Sequence, residues 1–499
     1  MHTLHLVDFA IIIIYLSVVV LMGWYFSKRQ KSVQDFCLAG RKMGWFPLAV
    51  SILATGVSAI SLVGVPTYIF RENLQLTATN LLFSVPLLLF VGFMMIPVLY
   101  KLRIYTVYEY LERRFHPSIR TAASIVTILM RLAWLATVIY VPALMLSPMT
   151  GMPLWLCIFI IGLSTTAYTV AGGLEAVIWT DVLQFFVMVF GLLAVIIFML
   201  REFDWNVASI WKQAVDSGST RMFDFSFSFR REATFWAVLS GMVVATLGMF
   251  GTDQVIVQRC FAAKDTKSAI ASMVGYSLIN FPFTLLLIAI GLGLAAFFHA
   301  NPAQLAELVK SDADPSKALE KAFPFYIINH TIIGIPGLII AMLLAVTMST
   351  ISGAINSLAT MLLKDVIEPF FPAKNKTKHS DLTLTRLLTF AFGMIATVTA
   401  LFVGNIGTIL QVFGLLSCFI AAPLYGVFFL GLFTKRANTF GIICGSIVSY
   451  VVCPVCYFIY DVNWVWLGGI NTFIVMLVGW IASLLYNPRC PTQKFGSSG

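Results

Sequence analysis

Residues 51–64 read SILATGVSAISLVG, and the fold turns on how that stretch is read. It sits inside an apolar run long enough to cross a bilayer at ~1.5 Å per residue. Yet it places Thr55, Gly56, Ser58 and Ser61 within seven residues. Small and polar residues weaken a lone hydrophobic helix, and each unpaired polar group in hydrocarbon costs several kcal/mol. Two explanations remain open at this point. Either the helix is interrupted here and uses its freed groups, or neighbouring helices pack closely on small residues.

The rest of the chain supports a membrane setting. Of 499 residues, 59% are hydrophobic and 11% charged, against about 25% charged in a soluble domain. An all-α integral membrane protein follows, with no room for a large soluble domain. The net charge of +10 does not point to nucleic acid, because Lys and Arg collect in alternate loops as the positive-inside rule requires. Eight cysteines are scattered mostly through apolar spans. Cys453 and Cys456 form a CPVC that is better read as small packing residues than as a redox pair, since no soluble redox fold surrounds it. The six histidines fall in loops or near termini, which argues against a histidine metal site in the membrane. The first apolar run lacks a preceding basic region and reads as an uncleaved anchor. Residues 491–499, ending in GSSG, read as an appended tail.

Thirteen spans are expected, near 6–26, 46–70, 76–100, 119–148, 152–172, 175–200, 233–257, 268–298, 332–363, 383–403, 406–433, 437–459 and 463–486. Basic residues follow the first span (Lys28, Arg29, Lys31, Arg41, Lys42), the third (Lys101, Arg103, Arg113, Arg114, Arg120) and the ninth (Lys364, Lys374, Lys376, Lys378). That asymmetry places the N-terminus outside and the C-terminus in the cytoplasm of a cell-membrane protein. An internal echo follows. ILATGVSA in the second span resembles VVATLGMF at 243–250 in the seventh. The two are five spans apart and so cross in opposite directions, which suggests an inverted repeat with interrupted helices at a midplane site.

If the second span unwinds around Thr55–Ser58, nearby carbonyls become oxygen ligands for a small hard cation. The ninth span supplies the other half as LLAVTMSTISGAINS, residues 343–357, where Ser349 and Thr350 are adjacent and Ser352 follows one turn on. Two facing, locally broken helices would then hold a monovalent ion on uncharged oxygens. Asp181, inside the sixth span, is either functional or a cap or salt-bridge partner near the inner rim. Arg131 is the one basic residue placed deep in the membrane. It meets an anionic solute, pairs with an acid such as Asp181 or Asp253, or bonds helix-end carbonyls.

DFCLAGRKMGWFPLAVSILATGVSAISLVGVP (35–66), TVYEYLERRF (106–115), AGGLEAVIWTDVLQ (171–184), DQVIVQR (253–259) and MSTISGAINSLATMLLKD (348–365) strongly resemble the sodium/solute symporter family. The resemblance implies a LeuT-like fold in one transporter domain over residues 1–490. An extra N-terminal helix (6–26) would precede a five-plus-five inverted repeat (46–200 and 233–433), with two further helices at 437–486. It implies a main sodium site on the carbonyls of Ala54, Val57 and Val346 and the hydroxyls of Ser349 and Thr350. Asp181 and Ser352 match a second sodium site of the sialic-acid branch, but Gly353 stands where that branch has another serine, so one sodium is implied and a second left open. Solute contacts would fall on Gly56, Ser58, Ser61, Asn80, Arg131, Thr246, Phe250 and Ser417. Gly414 stands where sugar carriers have glutamine, and Trp134 where sialic-acid carriers have arginine. LATVIYVPALMLSPMTG (135–151) is similar to the branch carrying monocarboxylates, vitamins and iodide.

The expected function is sodium-coupled import of a small organic solute, an anion such as sialic acid or a monocarboxylate, by alternating access. The partners would be sodium, the solute and the lipid bilayer, with the chain acting as a monomer. The competing readings are a symporter of a sugar or a neutral amino acid, a membrane sensor and a channel. An enzyme is disfavoured, because the spans hold no nucleophile–base pair.

Overall fold

The computed structural model describes residues 5–310, 318–319, 321–330, 332–371, 378–403 and 417–486. Among the described residues there is no β-strand; one isolated backbone bridge joins Met43 and Ala263. The principal helices are α1 (Leu6–Ser27), α2 (Trp45–Gly56), α3 (Ala59–Arg71), α4 (Gln75–Lys101), α5 (Pro117–Thr150), α6 (Leu154–Glu202) and α7 (Phe235–Thr252). They continue with α8 (Gln254–Phe261), α9 (Thr266–Ala300), α10 (Ile335–Met361), α11 (Lys378–Ala400), α12 (Ala422–Phe433), α13 (Thr439–Phe458) and α14 (Trp464–Leu485).

Ten helices among the described residues are long and apolar enough to cross a bilayer, and α2–α3 together make an eleventh. The expected count of thirteen is reached once α6 is divided and the short apolar helix at 418–433 is added. Its 49 residues would span ~74 Å as one rod, more than twice the hydrocarbon core. At Gly173 the backbone takes φ 59° and ψ −159°, a conformation essentially reserved for glycine, and two helices meet there. The segment 417–433 is the described end of the expected 406–433 span. A side chain on Gly173 would also stand 2.8 Å from the Phe36 ring. Gly173→Ala is therefore expected to lower thermal stability in detergent by about 1–3 kcal/mol from backbone strain alone, with further loss from the clash. An unchanged melting temperature would contradict this account of the joint.

α10 is the central helix. Every residue from Ile339 to Met361 is buried, as expected of a helix surrounded by protein on all sides. It packs against α6, α5, α1, α11 and α2. α1 holds it at two depths. The Asp8 carboxylate accepts from the Gly334 and Gly337 N–H groups at 3.0 and 2.8 Å, satisfying donors that a helix start leaves open. Further down, the Tyr15 hydroxyl meets the Met348 sulfur at 3.7 Å.

Two transmembrane helices are interrupted. α2 and α3 meet at a 58° bend, because Val57 (φ −86°, ψ 129°) and Ser58 (φ −106°, ψ 164°) are extended. Ser58 restarts the helix by accepting from the Ser61 N–H at 3.3 Å. The second interruption corrects the sequence reading. It falls at Asp253 (φ −79°, ψ 127°), while α7 runs unbroken through the 243–250 echo. Asp253 ends α7 and caps α8 by accepting from the Val255 N–H at 2.9 Å, a stronger break signal than the Thr-Leu-Gly of the echo. The expectation that the ninth span is also broken is overturned, since α10 is continuous through 346–350. Its threonines bond back to carbonyls one turn earlier, Thr347 to Leu343 at 2.7 Å and Thr350 to Val346 at 3.0 Å, which satisfies the hydroxyls without unwinding.

One face of the bundle is basic and tightly tied. Asp365 accepts from Thr106 (2.6 Å), Ser124 (2.5 Å) and Arg120 (2.8 Å), and Arg114 donates to the Gly431 and Thr434 carbonyls. Cys453 and Cys456 of the CPVC are free thiols on α13.

Candidate ion and solute site

Where α2 stops, carbonyls lose their helical partners. Its last regular bond runs from the Val57 N–H to the Leu53 carbonyl at 2.9 Å. The carbonyls of Ala54, Thr55, Gly56 and Val57 are therefore those a helix leaves open at its C-terminus. α10 passes beside them. Thr350 Oγ1 lies 3.1 Å from the Val57 carbonyl oxygen, 3.5 Å from that of Thr55 and 3.0 Å from that of Val346. Ser349 Oγ lies 3.3 Å from Thr55 Oγ1. Val57, Val346, Ser349 and Thr350 are thus brought together, with Ala54 in the same final turn of α2. The set consists of uncharged oxygens, the ligand chemistry of a hard cation, and the residues fit a sodium ion.

Asp181 lies next to this cluster and is fully buried. One carboxylate oxygen accepts from Ser349 Oγ at 2.7 Å. The other accepts from Ser51 Oγ at 2.5 Å, from Thr55 Oγ1 at 3.1 Å and from Arg259 Nη2 at 3.2 Å. Ser352, the other candidate for a second sodium, spends its hydroxyl on the Ser349 carbonyl at 3.1 Å.

Arg259 is what the sequence reading missed. That reading ends the seventh span at 257 and makes Arg131 the one deep basic residue. In the structure Arg259 is fully buried, among the largest side chains to be so. It donates to Ser51 (2.7 Å), Thr55 (2.5 Å) and the Val255 carbonyl (2.6 Å) as well as to Asp181. A signal was available in TDQVIVQR, where Asp253 is a capping residue and Gln254 and Gln258 share one face of a following helix. Gln258 donates to the Cys37 carbonyl at 2.6 Å and to Asn356 at 3.1 Å, and accepts from Ser357 at 2.6 Å.

Arg131 resolves into the second of its three readings: its guanidinium pairs with Asp253, with side chains 15% and 6% exposed. The pair joins α5 to the break between α7 and α8. The buried Nε of Arg131 has no acceptor among the described residues.

On the side of the α2–α3 break away from the basic face lies a cavity of about 380 Å³. Its walls are mostly apolar, including Gly64, Val65, Leu76, Val244, Ala245 and Val465. The polar residues among the described lining are Ser61, Thr77, Tyr68, Tyr425, Glu232, Trp464 and Cys418. Of the expected solute residues, Ser61 lines this cavity, and Ser58 lies beside it, 3.3 Å from the Ser61 hydroxyl. Beyond its own helix and chain neighbours, no described residue comes within 4 Å of where a Cβ on Gly56 would stand. Thr246 adjoins the lining residues Val244 and Ala245 on α7, and Asn80 bonds the sulfur of Met242, also on the wall, at 3.5 Å. Phe250 is instead packed away, stacked on Tyr276 with ring centroids 4.8 Å apart. The Ser417 side chain and Gly414 lie outside the described residues.

A transmembrane helix that breaks to present carbonyls to the hydroxyls of a second helix, beside a solute-sized cavity, defines a LeuT-like secondary transporter. The sequence profile of the sodium:solute symporter family matches residues 36–449, and the chain belongs to that family. It is 32% identical over 484 residues to the sodium-dependent multivitamin transporter of Oryctolagus cuniculus, covering 94% of this chain and 72% of the relative. It is 28% identical over 433 residues to the sodium-coupled monocarboxylate transporter 2 of Bos taurus, covering 85% and 68%. Its structure resembles that of a Na+-coupled sialic acid symporter in a substrate-bound, outward-open state, reported to reveal a novel Na+ site. There the TM-score is 0.88 at 26% identity, covering 97% of this chain and 99% of the other. The protein is accordingly a multi-pass membrane symporter that couples sodium to a solute.

Proposed function

We propose that this protein imports a small organic monocarboxylate with an apolar body, driven by sodium held between Ala54, Val57, Val346, Ser349 and Thr350. The observation that carries the reading is the break at Val57–Ser58. It opens carbonyls toward the ion on one side and the N-terminus of α3 toward the cavity on the other. Helix N-termini favour anions, so a carboxylate fits at Ser58–Ser61 with its body along Gly64, Val65 and Leu76. Among the described residues the walls offer few hydrogen-bonding groups for a polyhydroxylated sugar acid, which ranks sialic acid second. The name of one relative, a sodium-coupled monocarboxylate transporter, agrees with this cargo.

Coupling follows from shared parts. Sodium draws the end of α2 onto α10 and so fixes where α3 begins, and a seated solute holds the same break closed. Each ligand therefore tightens the other. The basic face is taken as cytoplasmic, with the N-terminus outside and the chain acting as a monomer in the cell membrane. Purified protein in liposomes should accumulate a radiolabelled short monocarboxylate under an inward sodium gradient and not under choline. Uptake that ignores sodium would overturn the reading.

Glu232 adds a pH signature. Burial pushes its carboxyl above the usual glutamate range, with Arg71 pulling it down and Glu72 up. At neutral pH its charge opposes an incoming carboxylate, and as pH falls it is neutralised before an ordinary glutamate would be. Solute affinity should therefore rise between pH 7 and mildly acidic pH in the wild type and stay flat in Glu232→Gln. The same slope in both proteins would exclude Glu232 as its source.

A further inference from the structure

The second cation position implied for Asp181 is already taken by the chain itself. Arg259 brings a full positive charge to Asp181 Oδ2 at 3.2 Å, with no exposure to solvent. Its other donors are spent on Ser51, Thr55 and the Val255 carbonyl, so its position is fixed on several sides. Gly353 records the same fact from α10. A Cβ there would stand 2.5 Å from Arg259 Nη2 and 2.9 Å from Thr55 Cγ2, so a serine at 353 would require the guanidinium to shift from the position it holds. Ser352 offers no replacement, because its hydroxyl is committed to the Ser349 carbonyl. Three donors converge on Asp181 Oδ2, while Oδ1 accepts from Ser349, and a second cation beside the guanidinium would meet like-charge repulsion in a low-dielectric interior. The surroundings do not fit a second sodium.

We propose that the Arg259 guanidinium stands in for a second alkali cation, so that this chain binds one sodium, with Asp181 serving as a positioning residue for the main site. The positioning role is concrete. Ser349 donates its hydroxyl hydrogen bond to Asp181, which leaves the lone pairs of its oxygen for the ion. Arg259 cancels the carboxylate's charge, so the main site gains orientation without an added anionic trap. The inference rests on the sodium site proposed above and specifies its stoichiometry.

Equilibrium binding of radioactive sodium to the purified full chain tests it, alongside the sodium dependence of thermal unfolding. Wild type should bind one sodium per chain with a Hill slope near one. Arg259→Gln, which frees the carboxylate, should bind two, with the slope rising toward two, and Arg259→Lys should return the count to one. Two sodium ions on the wild type, or one on a folded Arg259→Gln, would overturn the inference while leaving the symporter reading intact. If Arg259→Gln does not fold, the wild-type count alone decides. A wild type that binds no sodium at all would remove both.

Discussion

Ser349→Ala combined with Thr350→Ala is expected to abolish sodium-stimulated uptake while the protein still inserts and folds. Thr350 Oγ1 is the hydroxyl nearest the open carbonyls of α2, 3.1 Å from that of Val57, and Ser349 is oriented toward the same space by Asp181. A hydroxyl contact to a charged group contributes about 1.5–3 kcal/mol. Losing two should weaken sodium binding roughly 100-fold or more, beyond any physiological gradient. Thr350→Ser keeps the oxygen and should retain most of the coupling. The effect is read as the sodium concentration for half-maximal uptake in liposomes, and an unchanged value in the double variant would place the ion elsewhere.

Breaking the Arg131–Asp253 pair should produce the largest loss of stability. Both side chains are mostly buried, and removing one partner of a buried pair costs about 3–5 kcal/mol because the other charge is stranded. Arg131→Gln alone should therefore unfold far more readily than Arg131→Gln with Asp253→Asn. Asparagine still caps α8 and leaves no orphaned charge. A double variant no more stable than the single would rule out the pair as the cause. Transport separates this role from direct recognition of the solute. Through the pair, Arg131→Gln lowers uptake of neutral and anionic solutes alike, whereas contact with the carboxylate would lower only the anionic ones.

The parts of this molecule that were legible in the sequence are those with local causes. Charge-free runs fix the spans, and the crowding of Thr55, Gly56, Ser58 and Ser61 marks the broken helix, because bilayer physics penalises those residues anywhere else. The Ser349–Thr350 pair is legible for the same reason. Its helix was misread as broken because side-chain bonds to preceding carbonyls leave the same hydroxyl-rich pattern as an unwound turn. Gly173 sits in an ordinary Ala-Gly-Gly run, and its positive φ and the close approach of Phe36 are visible only in the fold.

Arg259 lies at the far end of that scale. Its burial depends on Asp181, 78 residues earlier, and on Ser51 and Thr55, more than 200 residues earlier. No window of sequence holds both ends of that bargain. The hidden guanidinium is the basis for the proposal that Asp181, an ion ligand by resemblance, acts through Ser349.

The account stands on an alkali ion lodged between the end of α2 and α10. The most direct test is a pair of high-resolution density maps of the protein in lipid, one prepared in sodium and one in choline. The expected result is a compact density bounded by the Ala54, Val57 and Val346 carbonyls and the Ser349 and Thr350 hydroxyls, present in sodium alone. Identical maps, with the Thr350 hydroxyl bonded directly to the Val57 carbonyl in both, would contradict it.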